Sequence, residues 1–250
     1  MTDFFDCVFV INLEQRNDRM ERISDLLHLL NIKFERFNAI DKTVVEGLYK
    51  NLSKIHKIST ITNAGYLACI LSHLSVYRIA LDRGYTKILI LEDDIFIHKN
   101  VQNLLKQFLN AVPKDWDMLY FGYLPLSEDE KYWSHNHFQK INSKTENGMV
   151  FRAKGLWCTH SYAIKKEYMN EIIQYYNTST LDKWLEIDRF LVKEQDKNFF
   201  PGENSRNIYG CIPALFGQVA SMSDLTEGFY TVSNEEKFIN SYLTPRHEFL

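Results

Sequence analysis

The chain has 250 residues, 45% of them hydrophobic, and its 29 basic and 32 acidic side chains leave a net charge of −3. That is apolar material enough for one large core, and the mixed, near-balanced charge advertises no basic face for nucleic acid or an anionic membrane. The opening "MTDFFDCVFVINLEQ" has no basic start, long apolar run or small-residue cleavage site, and no later run approaches membrane-spanning length. The sequence is therefore expected to be soluble and cytoplasmic, with no integral membrane segment.

The run "DCVFVINL" (6–13) is rich in branched and aromatic residues and predicts a central strand. From Asn17 to Leu30, Met20, Ile23, Leu26, Leu27 and Leu30 recur at spacings of three and four, the face of an amphipathic helix. "KFERFNAI" (33–40) alternates as a second strand, and Asp41 to Thr60 has weak periodicity, expected as loop with a short helix. Asn63 is placed to cap a long apolar helix from Ala64 to Arg83, ended at Gly84. A strand over 86–91, a helix near 100–111 and the strand "DMLYFG" (117–122) follow. Leu124 to Asn147 is polar, aromatic and poorly periodic, a long loop or peripheral hairpin of the kind that is more often functional than idle. "GMVFRA", "CTHSYAI" and helices over 165–176 and 181–192 complete the body. Such alternation predicts a single α/β domain over 1–250 with a mainly parallel sheet covered by helices. Cys7, Cys69, Cys158 and Cys211 are isolated, without zinc or redox spacing, and read as buried thiols.

"ILILEDDIFIH" (88–98) carries the clearest chemistry. In an open α/β sheet a ligand binds in the crevice beyond the carboxyl ends of the strands, and Glu92, Asp93 and Asp94 stand at such an end. Glu92 and Asp94 share a face if the strand continues; a turn at Asp93 brings the two aspartates together instead. Three crowded carboxylates repel and raise one another's pKa unless a cation joins them, and hard oxygen ligands suit Mg²⁺ or Mn²⁺. The alternative is a solvated turn in which Asp93 and Asp94 cap the next element.

"VFVINLEQRNDRMERI", "FERFNAID", "AGYLACILSHLSVYRIALDRG" and "ILILEDDIFI" occur in the order found in glycosyltransferase family 25, the group of lipopolysaccharide-type β-galactosyltransferases and collagen galactosyltransferases, which the chain resembles. The resemblance covers residues 8 to 97 and continues in "SYAIKKEYMNEII", "EIDRFL" and "PALFGQVASMSDL". It implies a GT-A-type, Rossmann-like domain, with 1–123 as the nucleotide-sugar-binding half and 124–250 as the acceptor-binding half. The implied reaction is metal-dependent inverting transfer of a hexose, galactose or glucose, from a UDP-sugar to a hydroxyl of a glycan or a hydroxylysine-containing, collagen-like acceptor.

The resemblance also implies roles. Asp94, helped by Asp93 or Glu92, would hold Mn²⁺ (or Mg²⁺) against the diphosphate. Asn12, Leu13, Arg16 and Arg19 would meet the incoming nucleotide, since arginine matches phosphate oxygens bidentately; without the resemblance, Arg16 and Arg19 read as surface partners of Glu14, Asp18 or Glu21. Ala39 and Asp41 become uridine or ribose contacts, although Asp41-Lys42 stands where family members often have Asp-Gly. Ser72, His73 and Asp93 fall near the sugar nucleotide, His73 as a group that hydrogen-bonds the donor or orients a carboxylate, or else as a satisfied core histidine. Inversion calls for a base away from the metal; among Asp182, Glu186 and Asp188, the "IDRFL" match selects Asp188. On one continuous helix Glu186 and Asp188 diverge, so at most one is expected to face the cleft. Gln218, Ser223 and Asp224 belong to the polar C-terminal segment. Trp133, His135, His137, Trp157 and His160 are either acceptor-facing or structural. A non-catalytic nucleotide-sugar-binding protein is the alternative reading; "INLEQRNDR", having no glycine, argues against a nucleotidyltransferase phosphate loop.

Overall fold

The computed structural model describes residues 4–55, 61, 63–125, 139–140, 149–195, 206–218, 221–222 and 229–230. Trp133, His135, His137, Ser223 and Asp224 lie outside them. The first part of the chain forms β1 (Cys7–Asn12), α1 (Asn17–Leu29), β2 (Glu35–Asn38), α2 (Lys42–Ile55), α3 (Ala64–Asp82), β3 (Lys87–Glu92) and β4 (Ile95–Ile97). Next come α4 (Val101–Ala111), β5 (Met118–Pro125), β6 (Gln139–Lys140), β7 (Val150–Arg152), β8 (Leu156–Lys165) and α5 (Lys166–Thr178). A 3-10 turn (Leu181–Lys183), α6 (Ile187–Gln195), β9 (Ile208–Cys211), β10 (Phe216–Gln218), β11 (Ser221–Met222) and β12 (Phe229–Tyr230) follow.

Eight strands make one sheet in the order β2-β1-β3-β8-β5-β9-β7-β6. Six run in the same direction and β8 and β7 run against them, so the mainly parallel expectation is met with two reversed strands. The reversal of β8 between β3 and β5 interleaves residues from both sides of position 123 in a single sheet.

Burial on both faces explains the unbroken apolar runs. Along β3, Ile88 and Ile90 join one core while Leu89 and Leu91 join the other, and β1 divides Phe9 and Ile11 from Val8 and Val10 in the same way. The first core is covered by α3, α5 and α6, the second by Ile23 and Leu27 of α1 and Val101, Leu105 and Phe108 of α4. The result is a three-layer α/β sandwich.

The Asn63 side chain accepts from Tyr66 N at 3.1 Å, and Gly84 stands just past the helix at φ +73°, so α3 is capped as its sequence predicts. By length and composition α3 is apolar enough to cross a membrane, contrary to the sequence reading. It is nonetheless the central core helix, with Leu74, Val76, Tyr77 and Ala80 buried against the sheet and its neighbours.

Two further expectations are corrected. Residues 42–55 form a helix of 14 residues where a loop with a short helix was expected; Val45, Leu48, Tyr49 and Leu52 recur at spacings of three and four on one face, with Val45 buried and Leu48 exposed. The helix expected over 181–192 is a 3-10 turn, a break, and then α6 starting at Ile187.

A candidate nucleotide-sugar cleft

A cleft of about 340 Å³ opens at the carboxyl ends of β1, β2 and β3, the place the sheet topology assigns to a ligand. Asn12, Leu13, Arg19, Ala39, Asp41, Ser72, His73, Glu92, Asp93, Asp94 and Asp188 all line it. Arg16 is not among the described lining residues. Its guanidinium lies along Asp18, with Nε to Oδ1 at 3.0 Å and Nη2 to Oδ2 at 2.9 Å, the local pair that its sequence neighbours already allow.

The three carboxylates separate because β3 ends at Glu92 and residues 93–94 turn into β4. Glu92 keeps the parity of Ile88 and Ile90 and points toward α3, where Oε1 accepts from Thr159 Oγ1 at 2.7 Å and lies 3.6 Å from His73 Nε2. Burial works to raise its pKa, but the neighbouring His73 imidazole and the Thr159 bond outweigh it, and the carboxyl ends below its usual range. Asp93 turns toward β1 and α1: Asn12 Nδ2 donates to Oδ2 at 2.6 Å and Arg19 Nη1 to Oδ1 at 3.0 Å. Burial still lifts its pKa. Asp94 receives Gln218 Nε2 at Oδ2, 3.2 Å, and the same oxygen lies 3.8 Å from Arg19 Nη1. Burial, then the charges of Glu92 and Asp93, push its pKa up to about 7.

Helix α1 builds this turn from below. Arg22, which sequence reasoning did not single out, donates to the carbonyls of Ile95 at 2.8 Å and Asp93 at 3.0 Å and so clamps the backbone between the aspartates. Asn12 also donates to Arg16 O at 3.1 Å, fastening the start of α1 to the end of β1. Asn12→Asp would set a second buried carboxylate against Asp93. It is expected to cost about 2 kcal/mol or more, read as a lower urea midpoint at unchanged slope; an unmoved midpoint would show that this amide does not hold Asp93.

Asp41 and Ser72 serve the cleft by shaping it. Asp41 caps α2, its Oδ1 accepting from Thr43 N at 2.8 Å and Thr43 Oγ1 at 2.6 Å, while Gln15 donates to Oδ2 at 2.5 Å. Those bonds hold its carboxyl below the usual range. Ser72 Oγ accepts from Ile40 N at 2.9 Å and donates to Ala68 O at 2.8 Å, pinning the β2–α2 connection to α3.

The far wall comes from the second half of the chain. Asp188 stands in the first turn of α6, its Oδ1 accepting from Arg189 N at 2.7 Å, and burial followed by the charge of Glu92 raises its pKa. Glu186, 7% exposed, also lines the cleft, correcting the expectation that at most one of the two faces it. The helix begins after Glu186, so the divergence of helical side chains does not apply to the pair. Burial and then Asp188 raise the pKa of Glu186 as well. Tyr66, Cys69, Cys158 and Thr159 are lining residues that sequence reasoning missed. The first two were traceable, because Tyr66, Cys69 and His73 fall on one face of α3 at spacings of three and four. Cys158 holds φ +78°, a left-handed conformation uncommon outside glycine, at the cleft edge. The thiols expected to be buried are so only at Cys211; the other three are half-buried. Among the acceptor candidates, Trp157 carries the Arg189 guanidinium 6.0 Å from its ring centroid, and His160 belongs to the core, where burial pushes its pKa down to about 4.

One carboxylate of the cleft has the chemistry to meet a divalent cation. Among the described residues no three His, Cys, Asp or Glu side chains converge as a ligand set. Yet Asn12 Oδ1 and Asp94 Oδ1 are buried acceptors without a partner. Buried polar atoms are nearly always satisfied, so water, a ligand or a cation completes them. Asp94 suits a hard cation that takes one or two protein carboxylates, whereas Asp93 has both oxygens engaged and Glu92 points away.

Comparison with known proteins agrees with the resemblance. Procollagen galactosyltransferase 2 of Homo sapiens is 30% identical over 203 residues, 75% of this chain and 30% of its own. A probable inactive glycosyltransferase 25 family member 3 of Bos taurus is 29% identical over 139 residues, 51% of this chain and 23% of its own. The chain thus spans less than a third of the length of these relatives. A crystal structure of a glycosyltransferase involved in the glycosylation of the major capsid of PBCV-1 superposes with a TM-score of 0.46 at 10% identity, covering 87% of this chain and 95% of that one. The pattern of glycosyltransferase family 25 (LPS biosynthesis protein) matches residues 5–191, three quarters of the sequence, and the chain belongs to that family.

Proposed function

We propose that the chain transfers a hexose, galactose or glucose, from a UDP-sugar to a hydroxyl of a glycan or collagen-like acceptor with inversion at the anomeric carbon. The observation that carries the reading is the pair of unpartnered buried acceptors, Asn12 Oδ1 and Asp94 Oδ1, in a cleft at the sheet's carboxyl edge. Six carboxylates line that cleft against Arg19 and Lys42, so a diphosphate needs a cation to enter it. Mn²⁺ or Mg²⁺, held by Asp94 with Asp93 beside it, would neutralise charge growing on the leaving diphosphate. Arg19 holds the aspartate pair in place, Arg22 fixes the turn that carries it, and Gln218 engages Asp94 Oδ2. On the opposite wall Asp188 takes the acceptor hydroxyl's proton, its raised pKa making it a better proton acceptor than an ordinary aspartate. The family name and the procollagen-directed relative supply the acceptor classes.

The test is incubation with UDP-galactose and with UDP-glucose, each with and without Mn²⁺, over a panel of glycan and hydroxylysine peptide acceptors. Metal-dependent release of UDP with one donor is the expected result. Nucleotide binding without turnover on any acceptor would move the chain to the non-catalytic reading, which the inactive relative makes concrete.

A further inference from the structure

We propose that Tyr162, oriented by Tyr77, is a positioning residue that fixes the tautomer of His73, so that His73 presents Nε2–H to Glu92 and holds that carboxylate on the cleft wall. The functional half of this inference rests on the donor-site reading above; the structural half rests on core geometry alone. His73 and Tyr77 stand one turn apart on α3, and both reach Tyr162 on β8. His73 Nδ1 lies 2.8 Å from Tyr162 Oη, and Tyr162 Oη lies 2.5 Å from Tyr77 Oη. None of the three side chains is more than 1% exposed. At the other end of the imidazole, Nε2 is 3.6 Å from Glu92 Oε1, the oxygen that also accepts from Thr159.

A neutral imidazole has one N–H and one lone pair, so the two ends of this chain constrain each other. A lone pair on Nε2 would face the Glu92 carboxylate and repel it, whereas an N–H there attracts it. With the proton on Nε2, Nδ1 must accept; Tyr162 donates to it, Tyr77 donates to Tyr162, and every proton in the series has an acceptor. The reverse order strands a proton. Nδ1–H would donate to Tyr162 and Tyr162 to Tyr77, leaving the Tyr77 hydroxyl hydrogen buried with no acceptor among the described residues. Both ends therefore select the same tautomer. The imidazole and the Tyr162 ring also stack, with centroids 5.8 Å apart and planes 28° apart, which holds the ring against rotation.

Nitrogen-15 NMR of the full chain labelled at histidine, with His73 assigned by loss of its signals in His73→Gln, reads the tautomer directly. A protonated, pyrrole-type Nε2 and a pyridine-type Nδ1 are expected in the wild type. Tyr162→Phe removes the donor to Nδ1 and leaves Glu92 alone to select the tautomer. The Nε2–H form is expected to remain, the Nδ1 resonance to move to that of a pyridine-type nitrogen without a hydrogen bond, and kcat/KM for the donor to fall about tenfold because the ring is no longer anchored at that end. Tyr77→Phe leaves Tyr162 able to donate, so it should keep the tautomer and lose less. His73→Gln, whose amide can still offer N–H toward Glu92, should retain more activity than His73→Leu. A proton on Nδ1 in the wild type, or an Nδ1 resonance that does not move in Tyr162→Phe, would overturn the proposal. If Tyr162→Phe fails to fold, the wild-type spectrum decides. Absence of UDP binding by the wild type, with manganese present, would remove the donor reading while leaving the tautomer result to stand by itself.

Discussion

Asp94→Asn is expected to lower sugar transfer by about a thousandfold or more while making the cation-free protein more stable at pH 8. Both effects have one origin. Asp94 is a half-buried carboxylate with an enclosed Oδ1 that has no partner, and burial with the charges of Glu92 and Asp93 pushes its pKa from 3.8 to about 7. A carboxyl with a folded pKa above its unfolded one binds more protons in the folded state, so stability falls as pH rises from about 4 to about 7 and stays low above that. Replacement by a neutral amide removes that penalty, roughly 1–4 kcal/mol on the scale of such shifts. It also removes the hard oxygen on which the leaving diphosphate's neutralisation depends, and stabilisation of that kind is worth about 4 kcal/mol or more. Opposed changes in stability and activity mark a residue kept for function. Thermal melts at pH 5 and pH 8 without metal, beside UDP release with manganese, check both signs; a variant that is more stable and retains transfer within tenfold would remove Asp94 from the mechanism.

Asp188→Asn is expected to reduce kcat by about 10²- to 10⁴-fold and to leave UDP affinity unchanged, because general-base help is lost while the nucleotide end of the cleft is untouched. Asp188 works ionised, so wild-type kcat should fall as pH drops toward its pKa, which burial and Glu92 place above the ordinary aspartate value. Glu186 shares the wall and its pKa is also raised, which makes Glu186→Gln the decisive comparison. A larger loss in Glu186→Gln than in Asp188→Asn, at equal UDP affinity, would transfer the base to Glu186. Calorimetric titration of UDP with manganese provides the affinity control.

The core strands and the acidic end of β3 were legible because they depend on local pattern. A run such as "ILIL" buried on both faces needs no tertiary knowledge, and three carboxylates at its end need only the topological rule for α/β sheets. The direction of β8 was not legible: "CTHSYAI" reads as a strand, but its pairing with β3 and β5 is set by a long-range register that leaves no mark in its own residues. Helix α2 was legible, since Val44, Val45, Leu48, Tyr49 and Leu52 keep helical spacing; the signal is lost only when the polar stretch after Leu52 is averaged in with it. The segment 181–192 failed for the opposite reason. Leu181, Trp184, Leu185 and Phe190 keep apolar residues coming through the break, so periodicity alone joins the 3-10 turn to α6 and turns Glu186 the wrong way.

Site residues divide along the same line. Asp94 and His73 announce themselves as polar groups interrupting apolar runs. Arg22 does not: it is one more basic residue on an amphipathic helix, and only the folded chain shows it reaching the carbonyls of Asp93 and Ile95. Arg16, promoted by its motif, turns out to pair with a neighbour two residues away, which is the interaction its local sequence favours.

A crystal structure with UDP and manganese, using anomalous scattering to locate the ion, addresses the proposed chemistry at its source. The expected map has manganese bonded to Asp94 Oδ1 and to a diphosphate oxygen inside the cleft. Nucleotide bound outside the cleft, or an ion absent from Asp94 at saturating manganese, would contradict the account.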